Sequence, residues 1–131
     1  VYFIYGMYFC YNIVTEDETS PSAVLVRAVE PVQGLEFMQQ RRPGSTVKNL
    51  TSGPGKLCMA YGIDKSINGR CMQSSDLYVA EGQAVNAEGV IEDSRIGIDS
   101  FGDAALWPLR FFEKDNPFVS VKKRRIYEDG L

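Results

Sequence analysis

The chain begins with a run of aromatic residues that is interrupted by a single glycine. Residues 1–12 read VYFIYGMYFCYN, and Gly6 stands in the middle of the run. Two extended segments around a glycine favour a strand-turn-strand arrangement that presents aromatic side chains outward. Because every nucleobase has a flat face, such side chains can stack on bases or wedge between them. The spacing therefore predicts an aromatic surface suited to planar ligands.

A second candidate for chemistry is an arginine inside an apolar segment. Residues 23–29 read AVLVRAV, the near-continuous apolar pattern of a strand that is covered on both faces. Arg27 interrupts this pattern. A guanidinium in a buried strand is costly unless it is paired or faces a wet cavity. We therefore expect Arg27 to have a function.

A glycine-rich segment precedes a predicted helix. Residues 51–57 read TSGPGKL, in which Ser52 can act as N-cap and Pro54 fits the first turn. The free backbone N–H groups of such a helix start could hold a phosphate. The GxxxxGK[ST] spacing of a phosphate-binding loop is absent. A capped helix without a ligand is the simpler interpretation of this segment alone.

Several kinds of site are excluded by composition. The chain contains no histidine, so neither a Ser-His-Asp nor a Cys-His mechanism can be built from these residues. Three cysteines without CxxC spacing, Cys10, Cys58 and Cys71, fit a reduced intracellular protein and not a zinc site. The apolar start is too short to span a bilayer and lacks the features of a signal peptide. We expect no metal, no organic cofactor and no membrane partner.

The charges are distributed in blocks. Residues 41–70 contain six Lys or Arg residues and one Asp, a net charge of +5, whereas residues 76–103 contain seven acids and one Arg, a net charge of −6. These blocks are compatible with one face that meets a polyanion, and equally with two solvated faces. The basic cluster KKRR at residues 122–125 leaves the same two alternatives open.

The pattern of strands and helices predicts a single α+β domain. We expect a curved, mostly antiparallel sheet with short helices on its rim. Residues 45–50 are predicted as a basic loop. Helices are predicted at residues 34–42 and from Ser52, and strands at residues 2–4, 7–14, 23–29, 77–80, 94–98, 109–112 and 118–121.

Several separated motifs together resemble one known family. YFIYGMYFCYNIV, AVLVRAVEP, LTSGPGKLCMAYGI, RIGID and WPLRFF…NPFVSV occur here in the order found in the alkyladenine (3-methyladenine, methylpurine) DNA glycosylases. The resemblance implies a monomeric, cofactor-free base-excision-repair enzyme, with a fold resembling the C-terminal domain of methionyl-tRNA formyltransferase. Such enzymes flip damaged purines out of duplex DNA and hydrolyse the N-glycosidic bond. An intracellular location would follow, with the cytoplasm or nucleoid in a bacterium or the nucleus in a eukaryote.

The resemblance assigns roles to residues of the aromatic run. Tyr5 matches the tyrosine that intercalates into the gap left by the flipped base. Tyr2 matches an aromatic that stacks on the extruded base, and Asn12 an asparagine that disfavours guanine. Met7 and Tyr8 would contact DNA beside the wedge. Without the resemblance, Tyr5 reads as a turn residue packed on a neighbour and Asn12 as a turn or ladder partner.

Two further positions match the family. Arg27 corresponds to the arginine that helps to hold the nucleophilic water, and Ile96 to the residue whose main-chain carbonyl also binds it. Both expectations follow from the resemblance. Lys56 is a candidate for a phosphate contact because it lies on the basic stretch.

The sequence departs from the family in one respect. The general-base glutamate belongs to an ETEAY-like motif upstream of the YGMYF hairpin, and the chain contains no such motif. Glu16, Glu18 and Glu30 have different flanking residues. Since the chain also lacks an initiator Met, we expect residues 1–131 to be a partial domain without its N-terminal strands and catalytic segment, and to be inactive alone. A non-catalytic DNA-binding module and a tRNA-binding accessory domain are the alternatives.

Overall fold

The computed structural model describes residues 1–73 and 76–120. They form two compact units, one of residues Val1–Glu81 and one that starts at Gly82. Helices and short strands occur together, and every strand pair in the described part is antiparallel. The α+β class is therefore confirmed. The strands form three separate two-stranded ladders.

The aromatic run forms the predicted hairpin. Strand β1 (Tyr2–Ile4) pairs with β2 (Tyr8–Cys10), and Phe3 lies opposite Phe9. The Met7 amide donates to the Ile4 carbonyl at 3.2 Å and closes the loop. Gly6 has φ +65°, a left-handed conformation that glycine adopts without steric cost, and this explains why a glycine stands at the tip.

The predicted strand 7–14 is divided between two partners. After Tyr11 the chain continues as β3 (Asn12–Val14), which pairs with β4 (Ala23–Leu25). The prediction that β4 extends to residue 29 is wrong, and Arg27 lies two residues past its end. The Val26 amide still donates to the Tyr11 carbonyl at 3.0 Å, whereas Val29 is held elsewhere, because the Thr51 hydroxyl donates to its carbonyl at 2.6 Å.

Three helices follow in the first unit: α1 (Leu35–Arg41), α2 (Val47–Leu50) and α3 (Pro54–Tyr61). The single turn α2 replaces the predicted basic loop. Helix α3 begins with Pro54 as predicted, but its N-cap is Gly53 and not Ser52. The Ser52 hydroxyl donates instead to Asn49 Oδ1 at 3.0 Å.

The core of the first unit consists of two clusters that both include α3. One contains Met38, Leu50 and Ala60 from the three helices. The other joins α3 to the strands through Tyr11, Leu57, Cys58 and Ile63. Burial raises the pKa of the Cys58 thiol to about 11, so this side chain is neutral at pH 7.

The second unit contains one ladder and two 3-10 turns in its described part. Strand β5 (Val90–Asp93) pairs with β6 (Arg110–Glu113), and the 3-10 turns span Ala87–Gly89 and Asp99–Leu106. Arg110 is buried, with its Nη1 3.4 Å from Asp93 Oδ2 and its guanidinium carbon 4.4 Å from the centre of the Phe112 ring.

Three predicted strands differ from the observed structure. The strand expected at residues 94–98 lies earlier, in β5, because Gly97 turns the chain with φ +77°. In place of the strand at residues 77–80 there is a single bridge between Gln73 and Tyr78. Residues 118–120 form no strand, and residues 121–131, with the KKRR cluster, lie outside the described residues.

Thr51 is expected to be important for stability. The substitution Thr51→Val keeps the shape of this fully buried side chain and removes its bond to the Val29 carbonyl. We expect the free energy of unfolding to fall by about 1–3 kcal/mol, because the carbonyl loses its partner. Urea unfolding followed by circular dichroism measures this. Thr15→Val, at an exposed position, is the control, and an equal loss in both variants would contradict the prediction.

Candidate functional site

The tip of the β1–β2 hairpin presents a strained, exposed tyrosine. Tyr5 is 80% exposed and has φ +54°, in the left-handed region. This conformation costs an L-residue other than glycine roughly 1–2 kcal/mol. Met7, in the same loop, is 66% exposed. An aromatic ring held in solvent at this cost is available to a ligand, so the interpretation of Tyr5 as a residue packed on a neighbour does not fit the structure.

Tyr2 lies on the hairpin next to a buried thiol. It is directly opposite Cys10 in the ladder, so the two side chains share one face of the hairpin. Partial burial raises the pKa of Tyr2, and Cys10 and Tyr5 raise it further. The ring is still 48% exposed. A neutral phenol ring beside the hairpin tip can stack on a flat ligand.

Asn12 has an unpaired amide. It is the first residue of β3, opposite Leu25. Its Nδ2 atom is buried and has no hydrogen-bond partner within the described residues. A buried donor without a partner costs about 1–3 kcal/mol. Asn12 therefore carries hydrogen-bonding capacity that its own fold does not use.

Arg27 is half-buried next to the same strands. Burial lowers the pKa of its guanidinium, and the nearby Cys10 raises it. No hydrogen bond or ion pair joins Arg27 to the residues that the structure describes. A partly desolvated cation with its donors unused can bind a water molecule or an anionic oxygen strongly. An arginine is tolerated in this apolar segment because it lies past the end of the strand, where it is only half-buried.

The basic segment is used largely by the fold itself. Arg41 Nη1 donates to the Ala60 carbonyl at 3.0 Å, and Arg42 Nη1 donates to the Leu50 carbonyl at 2.7 Å. Lys56 Nζ donates to Asn49 Oδ1 at 2.6 Å, which fixes its ammonium near the start of α3. Both arginines of this segment therefore donate to carbonyl groups at the ends of helices.

Ile96 belongs to the second unit. Its side chain is half-buried, and its carbonyl accepts no hydrogen bond from the described residues. The neighbouring Arg95 has a buried Nε without a partner in the same part of the chain. The segment 95–96 thus has polar atoms that secondary structure does not use.

The structure brings together most of the residues that the sequence singled out. Tyr2, Tyr5, Met7 and Tyr8 share one hairpin, and Arg27 lies near its Cys10. Sequence reasoning missed the contact between Tyr8 and Gly55 at the start of α3. The glycine-rich pattern of residues 53–55 was the sequence signal for this close contact, but it was interpreted only as the start of a helix.

The described residues contain neither a cluster of metal ligands nor a membrane-spanning helix. No group of three or more acidic, cysteine or histidine side chains is arranged to hold a metal ion. No helix there has the length and apolar character needed to cross a bilayer.

Comparison with known proteins gives the family of this chain. A family model described as Methylpurine-DNA glycosylase matches residues 1–117, which include the hairpin, Arg27, Lys56 and Ile96. The chain belongs to the methylpurine-DNA glycosylase family. The resemblance found in the sequence motifs is therefore confirmed, and the roles of single residues stay predictions.

Curated relatives extend this finding. Proteins named "Putative 3-methyladenine DNA glycosylase" from Desulfitobacterium hafniense, Bdellovibrio bacteriovorus and Methanocella arvoryzae are 44%, 48% and 47% identical to the chain. Each match covers 93% of this chain and 64%, 62% and 61% of the relative, respectively. The chain thus spans a little over three fifths of the length of these relatives.

The unpaired amide of Asn12 leads to a stability prediction. Asn12→Leu removes the buried donor and keeps a side chain of similar size, so we expect the free energy of unfolding to rise by about 1 kcal/mol. Asn86→Leu is the control with the opposite sign, since Asn86 Oδ1 accepts from the Glu88 amide at 3.2 Å. Chemical denaturation measures both. A loss of stability in Asn12→Leu as large as in Asn86→Leu would contradict the prediction.

Proposed function

We propose that the complete protein to which these residues belong is a DNA N-glycosylase that removes damaged purines from duplex DNA. The exposed, strained Tyr5 at the hairpin tip is the observation that carries this proposal. Family membership and the names of the relatives support the same reaction class. The substrate is duplex DNA that contains an alkylated or deaminated purine, and the enzyme acts as a monomer without a cofactor.

Tyr5 is the wedge in this proposal. Extruding a nucleotide costs a few kcal/mol of stacking and pairing. An aromatic ring inserted into the vacated gap recovers part of this cost, since stacking on a base contributes about 1–3 kcal/mol. The left-handed backbone of Tyr5 and Gly6 supports this role, because it holds the ring beyond the ends of both strands. Met7 and Tyr8 would contact the groove on one side of the wedge, and Lys56 a backbone phosphate.

Tyr2 and Asn12 form part of the base pocket in this proposal. Stacking on the Tyr2 ring tolerates many purines, which suits an enzyme with several lesions as substrates. A cationic alkylated base would gain a cation–π attraction of at most about 2 kcal/mol. The unpaired Nδ2 of Asn12 supports a selective role, because a buried donor at the pocket wall would face the 2-amino group of guanine, itself a donor.

Arg27 holds the attacking water in this proposal. Water attacks C1′ of the flipped nucleotide, the C1′–N bond breaks, and the electron pair leaves with the purine. The products are the free base and an abasic sugar with a hydroxyl at C1′, and a general base takes the proton of the water. The unpaired donors of Arg27 support this role.

The general base is proposed to lie outside the 131 residues. Glu16, Glu18 and Glu30 are all exposed to solvent, and a base in a water-excluded pocket needs a different setting. The expected contribution of a general base is about 10²–10⁴-fold in rate. The experiment is single-turnover release of hypoxanthine from a lesion duplex, with the complete protein and with the 131-residue chain. Release by the complete protein alone supports the proposal.

The same assay has two other informative outcomes. Equal release by the shorter chain would place the base among these residues and overturn the assignment. If the complete protein binds an abasic-site duplex without releasing any base, the chain belongs to a non-catalytic DNA-binding module.

Arg27→Ala tests the water site. We expect single-turnover excision by the complete protein to fall by about 10²-fold, because a misplaced nucleophile loses most of its orientation, while affinity for the lesion duplex stays within threefold. Arg27→Lys keeps the charge without the planar fork and is expected to recover only part of the rate. A loss of affinity without a change in the excision step would remove Arg27 from the water site.

Tyr5→Ala tests the wedge. We expect affinity for an abasic-site duplex to fall about tenfold, in line with the loss of one stacking contact. Fluorescence anisotropy of a labelled duplex measures this. Tyr78→Ala removes another exposed tyrosine, 62% accessible and outside the hairpin, and is expected to leave the affinity unchanged. Equal affinities of the wild type and Tyr5→Ala would contradict the role of the wedge.

A further inference from the structure

We propose that Gly55 is a positioning residue that sets the place of the DNA-binding hairpin by letting the Tyr8 ring lie directly on the backbone of helix α3. This inference rests on the proposed function of the hairpin and adds a determinant outside it. Gly55 itself would not contact DNA.

The contact is closer than any side chain at position 55 would allow. An ideal Cβ built on Gly55 would lie 2.9 Å from Tyr8 Cδ1, 3.0 Å from Cγ and 3.2 Å from Cβ. Carbon atoms at optimal separation are about 3.5–4.0 Å apart. The near side of the Tyr8 ring therefore occupies the space in which any other residue would place its first carbon.

The hairpin, and not the helix, must yield when this space is filled. Helix α3 is fixed by Leu57, Cys58 and Ala60, which are at most 2% exposed and belong to both core clusters. Tyr8 is 41% exposed and Tyr5 is 80% exposed, so the hairpin end has room to move into solvent. The displacement would thus fall on the element that carries the wedge.

The shift would reach the hairpin tip through the backbone. Tyr8 is the ladder partner of Ile4, and only residues 5–7 separate the two. A rotation about χ1 moves the Tyr8 ring away from a new methyl group, but the Cβ atom 3.2 Å away moves only with the strand. The ladder then transmits a shift of a few tenths of an ångström to Tyr5.

The experiment compares Gly55→Ala with Gly82→Ala in the complete protein. Gly82 is the control because a Cβ there meets no atom within 4 Å and its φ is not positive. For Gly55→Ala we expect shifted backbone amide resonances of Tyr5 and Gly6 and about tenfold weaker binding to an abasic-site duplex. Alanine is the better helix former, so helix propensity gives no reason for a loss.

A double-mutant cycle isolates the contact. In a Tyr8→Gly background all three close contacts, including that of Cβ, are gone, so Gly55→Ala is expected to change the affinity by less than twofold. Unchanged Tyr5 and Gly6 resonances in Gly55→Ala, or equal losses in both backgrounds, would overturn the inference. Failure of the wild type to bind the abasic duplex would instead refute the proposed function, and the amide resonances would still decide whether Gly55 sets the hairpin position.

Discussion

The packing of helix α3 against the strands is the constraint on which the candidate site depends. Leu57 and Cys58 lie on its strand side and Ala60 on its helix side, so both core clusters of the first unit share this one helix. The burial that holds α3 also shapes the site, because Cys10, the neighbour of Tyr2 and Arg27, also adjoins Cys58. Stability and the position of the candidate site therefore have a common origin.

Several groups of the first unit have hydrogen-bonding capacity that the fold does not use. In the first unit, the buried Nδ2 of Asn12 and the guanidinium of Arg27 find no partner among the described residues, and Tyr5 adopts a costly backbone. A fold selected for stability alone would pair or remove such groups, since each costs on the order of 1–3 kcal/mol. These unused groups are the physical argument for a ligand, and family membership supports the proposal that the ligand is DNA.

Part of the basic stretch is used within the fold. The basic stretch at residues 41–70 was compatible with a polyanion surface, yet its two adjacent arginines donate to carbonyl groups at helix ends. Arg70, in the same stretch, is paired with Asp76. The proposed recognition of DNA therefore depends more on aromatic stacking at the hairpin than on a broad positive surface.

The sequence by itself determined the hairpin, the α+β class and the family, because alternation, a turn glycine and ordered motifs are local signals. It did not determine the ends of β4 and β5 or the one-turn helix α2, since those depend on tertiary partners such as the bond from Thr51 to Val29. Only the tertiary structure decided that Arg27 lies past its strand with unused donors, and that Gly55 is where Tyr8 rests. Both facts arise from contacts between residues far apart in the chain, which no local pattern encodes.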